Sequence, residues 1–199
     1  SLEFYGRTLK VGDRITMCPD IVCGSCYECR HVMGYVWCEN SDCYGNSYSS
    51  ADPPHLMGGW AEQMYIRPDT FVYKVPSGLS PRVAVLAELM ACTASLDKLK
   101  EFSSYAIEGF NSGDTVVVIG SGPLGLLHIV KADMMGAGRI IATDLSERRL
   151  SFAKRCGANA TLNVSQSSSK ERIHQVMEMT RGRGADVVLH MANTPASFV

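Results

Sequence analysis

One hexapeptide limits the fold of this chain more than any other stretch. Gly120-Ser121-Gly122-Pro123-Leu124-Gly125 directly follows the apolar run Thr115-Val116-Val117-Val118-Ile119 and opens a helical pattern. A short run that is apolar throughout suits a strand buried on both faces of a parallel sheet. The pattern G-x-G-x-x-G is frequent by chance, but between such a strand and a helix it has the context of a phosphate-binding turn. Gly120 permits the tight turn, Gly122 lets backbone approach a pyrophosphate, and Gly125 lets the helix close on the strand. Pro123 and Leu124 complete the cofactor-binding loop. The unpaired N–H groups and dipole at the helix start then face the phosphates.

Beyond the loop the chain keeps alternating between strand and helix periods. A helix is expected over 123–135, a strand over 139–143, a helix over 146–156 closed by Gly157, and a strand over 160–164. A third helix over 170–180 and a strand over 185–189 complete the series. Alternation of this length means a doubly wound parallel sheet with right-handed crossovers. The second strand runs into Asp144, nineteen residues after Gly125. A carboxylate there accepts hydrogen bonds from an adenosine ribose and repels a 2′-phosphate, which favours NAD over NADP. Arg148 and Arg149 lie close by and leave room for the phosphorylated form.

A second feature constrains the first half. Of eight cysteines, three fall in the heptapeptide Cys23-Gly-Ser-Cys26-Tyr-Glu-Cys29. Two overlapping C-x-x-C steps turn three thiolates toward one point, and a tetrahedral Zn2+ needs that convergence plus a fourth donor. Cys38 is the best placed fourth, with Cys43 the alternative; His31 could supply nitrogen, but a gap of one residue from Cys29 is awkward for sharing a metal. A disulfide framework or a redox C-x-x-C is disfavoured, because the surroundings lack a secretory signal and a βαβ pattern. Four thiolates saturate the metal, so the ion would staple a loop rather than do chemistry. Residues 23–59, rich in Cys, Gly, Ser, Asn, Asp and Pro, need such a staple.

Around this loop, 9–17 reads as a Gly-Asp turn leading into a strand, and 58–66 and 71–75 read as further strands, the last ended by Pro76. Ser80-Pro81 starts a helical pattern with apolar spacing from Val83 to Leu99 and a break near Thr93-Ala94. Residues 109–114 form a turn-rich link. His31 and His55 read as loop histidines, and His128 and His174 as helix-surface ones. The net charge of −1 gives no field to attract nucleic acid or an acidic membrane. No apolar run approaches the ~18 residues of a membrane span. A cytoplasmic location is the expectation.

Zinc knuckle and dinucleotide fold, in this order and spacing, resemble the zinc-dependent medium-chain alcohol dehydrogenases, their polyol and threonine dehydrogenase branches included. Leu9-Lys10-Val11-Gly12-Asp13-Arg14, Gly58-Gly59-Trp60-Ala61-Glu62, Lys74-Val75-Pro76 and Ala84-Val85-Leu86-Ala87-Glu88 carry the likeness outside the two motifs. The resemblance implies a partial GroES-like β-barrel domain over 1–85 with its zinc lobe at about 23–43, and hinge helices over 86–112. A partial NAD-binding Rossmann domain would occupy 113–199. The step from Cys29 to Cys38 is one residue longer than the family's usual spacing. Glu88 falls where polyol branches carry a glutamate at the catalytic zinc; on its own residues it reads equally as a hinge glutamate in a salt bridge. Arg149 matches a basic position that contacts the adenosine ribose. His190 departs from an acidic residue often seen there and is given no role.

Through this resemblance the chain is expected to serve an NAD-dependent oxidation of a secondary alcohol or polyol. The implied partners are a structural Zn2+, NAD, a small alcohol substrate and, in the intact parent, a catalytic Zn2+ and further copies of itself. Neither nucleic acid nor membrane is an expected partner. No Gly-His-Glu occurs in the sequence, and four strands are visible where a doubly wound sheet has six. Both ends are therefore expected to be cut, and the chain as it stands to be inactive. Two alternatives remain, a zinc-free reductase of the same superfamily and a zinc-stapled binding module without catalysis.

Overall fold

The computed structural model describes residues 3–31, 37–102 and 109–193. Part of the expected hinge, 103–108, lies outside the described residues. The chain divides into two units, Ser1–Ala87 and Glu88–Val199.

The first unit holds β1 (Ile15–Met17), β2 (Asp20–Ile21), α1 (Tyr27–His31), β3 (Asp42–Cys43), β4 (Val72–Lys74) and α2 (Pro81–Ala84). β1 and β4 pair antiparallel, with Ile15 opposite Lys74 and Met17 opposite Val72. β2 and β3 form a second antiparallel pair, with Asp20 opposite Cys43. Gly12, at φ +94°, makes the turn before β1, and Lys10 N–H closes it on the Asp13 carboxylate at 2.8 Å. Buried Glu3 ties the leading segment to β4. Its carboxylate receives Arg7 Nε at 2.7 Å, Arg7 Nη2 at 2.9 Å and the Lys74 N–H at 3.2 Å.

Two expectations for this unit need correction. Residues 58–66 form no strand; Trp60 is fully exposed and one main-chain bond, Tyr65 N–H to Leu56 C=O, ties the segment back. Its apolar–polar alternation finds no partner strand to pair with among the described residues, and alternation alone does not make a ladder. The loop over 23–59 is also less irregular than its composition suggests, since α1 and β3 lie inside it. His31 accordingly ends a helix rather than sitting in a loop.

α3 (Ala87–Cys92) and α4 (Ser95–Phe102) come next in the chain. The helical stretch expected over 83–99 breaks near Thr93-Ala94 as its sequence suggests, and a second break separates α2 from α3. Val85 closes α2, and Thr93 Oγ1 donates to the Met90 carbonyl at 2.7 Å where α3 gives way to α4. The second unit continues through β5 (Thr115–Ile119), α5 (Pro123–Met134), β6 (Arg139–Asp144), α6 (Glu147–Arg155), β7 (Ala160–Asn163), α7 (Ser169–Met179) and β8 (Val187–His190). The four strands make one parallel sheet in the order β7-β6-β5-β8. The chain moves outward from β5 to β7 and then returns to the far side of β5. That reversal puts a crevice at the C-terminal ends of β5 and β8, where ligands bind in open α/β sheets.

Packing explains the pattern. Val116, Val118, Ile140 and Ala142 join Ile129, Ala132 and Ala153, with Leu96 and Phe110, in a buried cluster. Each large aliphatic side chain there contributes about 1.5–3 kcal/mol over its exposed state. Helix ends are set locally. Ser146 caps α6, Gly157 follows it at φ +118°, and Ser168 with Glu171 forms a reciprocal capping box on α7. His128 departs from its expected surface place. It is buried in α5, with Nδ1 on the Leu124 carbonyl at 2.9 Å and Nε2 at 3.4 Å from Ser95 Oγ. Helical spacing cannot distinguish a histidine facing water from one that a neighbouring helix covers. His174 is exposed and within 3.3 Å of Glu178. Among the described residues, no helix is long and apolar enough to cross a membrane.

Candidate functional site

The thiols of Cys23, Cys26, Cys29 and Cys38 converge, with all four Sγ atoms within 4.8 Å of one another. Cys23 and Cys38 Sγ are 3.6 Å apart. Zn–S bonds of about 2.3 Å in a tetrahedron put sulfurs about 3.8 Å apart, so these residues fit the ion. Gly24, at φ +65°, starts the knuckle, and one turn of α1 separates Cys26 from Cys29. Main-chain N–H groups stabilise the sulfurs: Cys26 N–H donates to Cys23 Sγ and Cys23 N–H to Cys38 Sγ, both at 3.4 Å.

The electrostatics agree with a cation site. Hydrogen bonds from Ser25 and the Cys26 N–H bring the Cys23 thiol down to about 5. Main-chain donors at Cys29 and Glu39 lower Cys26, while burial, followed by bonds with Cys26 and Cys38, pushes Cys29 up to about 12. Four thiols this close cannot all ionise unless a cation neutralises them. Cys43 lies outside the cluster, on β3 opposite Asp20, where burial and the Asp20 side chain raise its thiol. His31 is also outside, stacked on Tyr27 at 4.5 Å. All eight cysteines are free thiols.

In the second unit the glycine loop lies where β5 meets α5. Gly120 turns at φ +93°, and a Cβ on it would lie 3.0 Å from Ala192 N. On Gly125 a Cβ would stand 2.0 Å from the Gly120 carbonyl oxygen, so only glycine lets α5 sit this close. Gly122 is different: a Cβ there meets nothing within 4 Å. It caps α5, with Pro123 at the first helical position. This is the open side of the turn, where free amides can receive an anion. Leu124 shares that first turn.

Asp144 closes the loop from the neighbouring strand. Its buried carboxylate accepts Ser121 N–H at 2.9 Å through Oδ2 and Ser146 N–H at 2.8 Å through Oδ1. Arg149 Nη1 stands 3.6 Å from Oδ2. The structure thus brings Gly120, Gly122, Pro123, Leu124, Gly125, Asp144 and Arg149 to one sheet edge. Arg148 is drawn elsewhere, over the Phe152 ring at 5.9 Å. Sequence reasoning missed Ser121 and Thr143: Ser121 Oγ donates to the Thr143 carbonyl at 3.2 Å, and no local signal marks a variable motif position as a tertiary anchor.

Glu88 is exposed on α3 and accepts the Cys92 thiol at 3.4 Å. Among the described residues, the four-thiol cluster is the one group of metal-ligating side chains able to hold an ion, and Glu88 is not part of it. His55 sits in a turn at φ 62°, its Nδ1 3.1 Å from the Ser50 carbonyl. His190 ends β8 beside Ile119.

Residues 123–199 match the family described as zinc-binding dehydrogenase. D-xylulose reductase A of Aspergillus oryzae is 32% identical over 191 residues, covering 96% of this chain and 49% of that protein. A probable D-xylulose reductase A of Emericella nidulans is 34% identical, with 96% and 48% covered. Among solved structures, an alcohol dehydrogenase from Thermotoga maritima superposes with a TM-score of 0.81 at 35% identity, over 99% of this chain and 52% of that one. The chain spans about half the length of the curated relatives it matches. These likenesses imply Zn2+ and NAD(H) as cofactors; the four-thiol cluster fits the first and the glycine loop the second. With both sites in this order on this fold, the chain is similar to the zinc-dependent medium-chain dehydrogenases.

Proposed function

We propose that this chain serves an NAD-dependent oxidoreductase that oxidises a secondary alcohol or polyol to a ketone. The substrate carbon gives a hydride to NAD+ and its hydroxyl gives up a proton, leaving ketone and NADH. When bound, a catalytic Zn2+ supplies Lewis acidity to the alcohol oxygen and the nicotinamide accepts the hydride. The chain's own residues hold the dinucleotide. Free amides at the start of α5 receive the diphosphate beside Gly122, and Asp144 accepts the ribose diol with Arg149 at its flank.

The observation that carries this reading is the open side of Gly122, bounded by a buried carboxylate at the end of the next strand. A carboxylate in that place favours an unphosphorylated ribose. Cys23, Cys26, Cys29 and Cys38 hold a structural Zn2+ in the lobe, and Glu88 is the residue offered to a catalytic one. The domain plan assigns 1–85 to a partial GroES-like domain, 86–112 to hinge helices and 113–199 to the nucleotide domain. The polyol class rests on the named relatives and on Glu88. A homo-oligomeric, cytoplasmic intact parent completes the proposal.

Metal analysis with coenzyme titration tests it. One Zn2+ per 199-residue chain and an NADH affinity well above that for NADPH are expected. Zinc without affinity for either coenzyme would favour a stapled binding module instead. The sequence contains no Gly-His-Glu, so the 199-residue chain alone should turn over no alcohol. Zinc-dependent polyol oxidation by the pure chain would overturn that expectation.

A further inference from the structure

Both oxygens of the Asp144 carboxylate are engaged by this chain before a ligand arrives. Oδ2 accepts the Ser121 main-chain N–H at 2.9 Å, and Oδ1 accepts the Ser146 N–H at 2.8 Å. Ser121 is completely buried. Its hydroxyl donates to the Thr143 carbonyl at 3.2 Å, and the same carbonyl accepts the Gly120 N–H at 2.9 Å. Three bonds thus fasten the glycine turn to the end of β6, and the one to Asp144 is charge-assisted in a site that excludes water. Such bonds are stronger than neutral ones in water.

We propose that Asp144 is a positioning residue for the glycine loop, holding through the Ser121 N–H the turn shape whose free amides meet a diphosphate. The inference rests on the dinucleotide reading above and gives Asp144 a duty separate from any contact with a ribose. Without the carboxylate, the Ser121 N–H is left buried without an acceptor, and the turn must move to reach water. Asparagine is no substitute. Both oxygens of Asp144 face N–H donors, so the amide –NH2 of an asparagine would oppose one of them. A residue acting on ribose alone would tolerate that change, because hydroxyls both donate and accept.

The test uses two probes, ADP and 2′,3′-dideoxy-ADP, titrated into the zinc-loaded 199-residue chain and into Asp144→Ala and Asp144→Asn. The dideoxy probe has no ribose diol, so any loss it shows comes from the loop. Both variants should weaken dideoxy-ADP binding about tenfold to a hundredfold, the range for a hydrogen bond to a charged group. Unchanged dideoxy-ADP binding in Asp144→Ala, or wild-type affinity for ADP in Asp144→Asn, would overturn the proposal. Amide hydrogen exchange on the ligand-free wild type needs no variant. The Ser121 amide should be protected nearly as well as Val116–Val118, and exchange at the rate of an open turn overturns the positioning role. If the wild type binds no ADP, the dinucleotide reading fails, and the exchange result alone decides whether Asp144 holds the turn.

Discussion

Single atoms decide the glycine loop, and the same methyl at two of its positions should differ in its effect on stability. At Gly125 an added Cβ stands 2.0 Å from the Gly120 carbonyl oxygen, and backbone atoms cannot move aside cheaply. Gly125→Ala should therefore cost about 1–3 kcal/mol by overpacking and also lose NADH binding. At Gly122 the methyl enters open space. Gly122→Ala should keep the wild-type melting temperature and still weaken NADH at least tenfold, because the methyl occupies the diphosphate's approach. Thermal denaturation paired with NADH fluorescence titration checks both. The turn at Gly120 and the close approach at Gly125 were legible in the sequence because the motif puts residues without a side chain at both places. Ser121 and His128 were not legible. Their partners, Asp144 for one and Ser95 for the other, lie 23 and 33 positions away in sequence.

Among the elements, helix ends and the first unit's ion pairs carry the testable energetics. The Ser168 hydroxyl accepts the Glu171 N–H at 3.3 Å, and its own N–H is received by the Glu171 carboxylate. Ser168→Ala should destabilise the second unit by about 1 kcal/mol, read as a lower denaturant midpoint at unchanged slope. At the other end of α7, Thr180 is buried and accepts the Gly184 N–H at 2.9 Å. Thr180→Val leaves that donor unpaired and should cost about 1–3 kcal/mol. In the first unit, the Arg7 guanidinium holds the Glu3 carboxyl down to about 2. A depressed carboxylate stabilises above its unfolded value and loses that contribution as pH falls through the folded one. Acid titration of the wild type should therefore cost the first unit stability between about pH 4.5 and pH 2, and Glu3→Gln should flatten that dependence. Strand and helix periods in 115–189 foretold each of these elements to within a few residues. The expected strand over 58–66 failed because alternation supplies a pattern and not a partner.

For the whole molecule, the lobe and the sheet depend on different forces. The four thiols at 23, 26, 29 and 38 sit in a stretch with little apolar burial, of which Cys38 is the one buried member. The buried cluster of the second unit is apolar and contains no metal-ligating side chain. Stripping Zn2+ with a chelator should open residues 23–43 while leaving β5 to β8 intact. Hydrogen exchange would then rise in the lobe and stay low at Val116, Val118, Ile140 and Ala142. Loss of protection in the sheet at the same chelator concentration would show that the lobe is no independent staple.

The sequence by itself determined what depends on local chemistry: three cysteines spaced to converge, a glycine turn between strand and helix, and periods that alternate between two and 3.6. Each is a property of neighbouring residues, so it can be read without knowing where the chain goes next. Tertiary structure alone decided which fourth thiol completes the cluster, that a histidine on α5 is covered, and that Asp144 is bonded to the loop it helps to form. Those outcomes depend on segments brought together across many residues. Close packing and the need to pair every buried polar group, rather than local preference, select them.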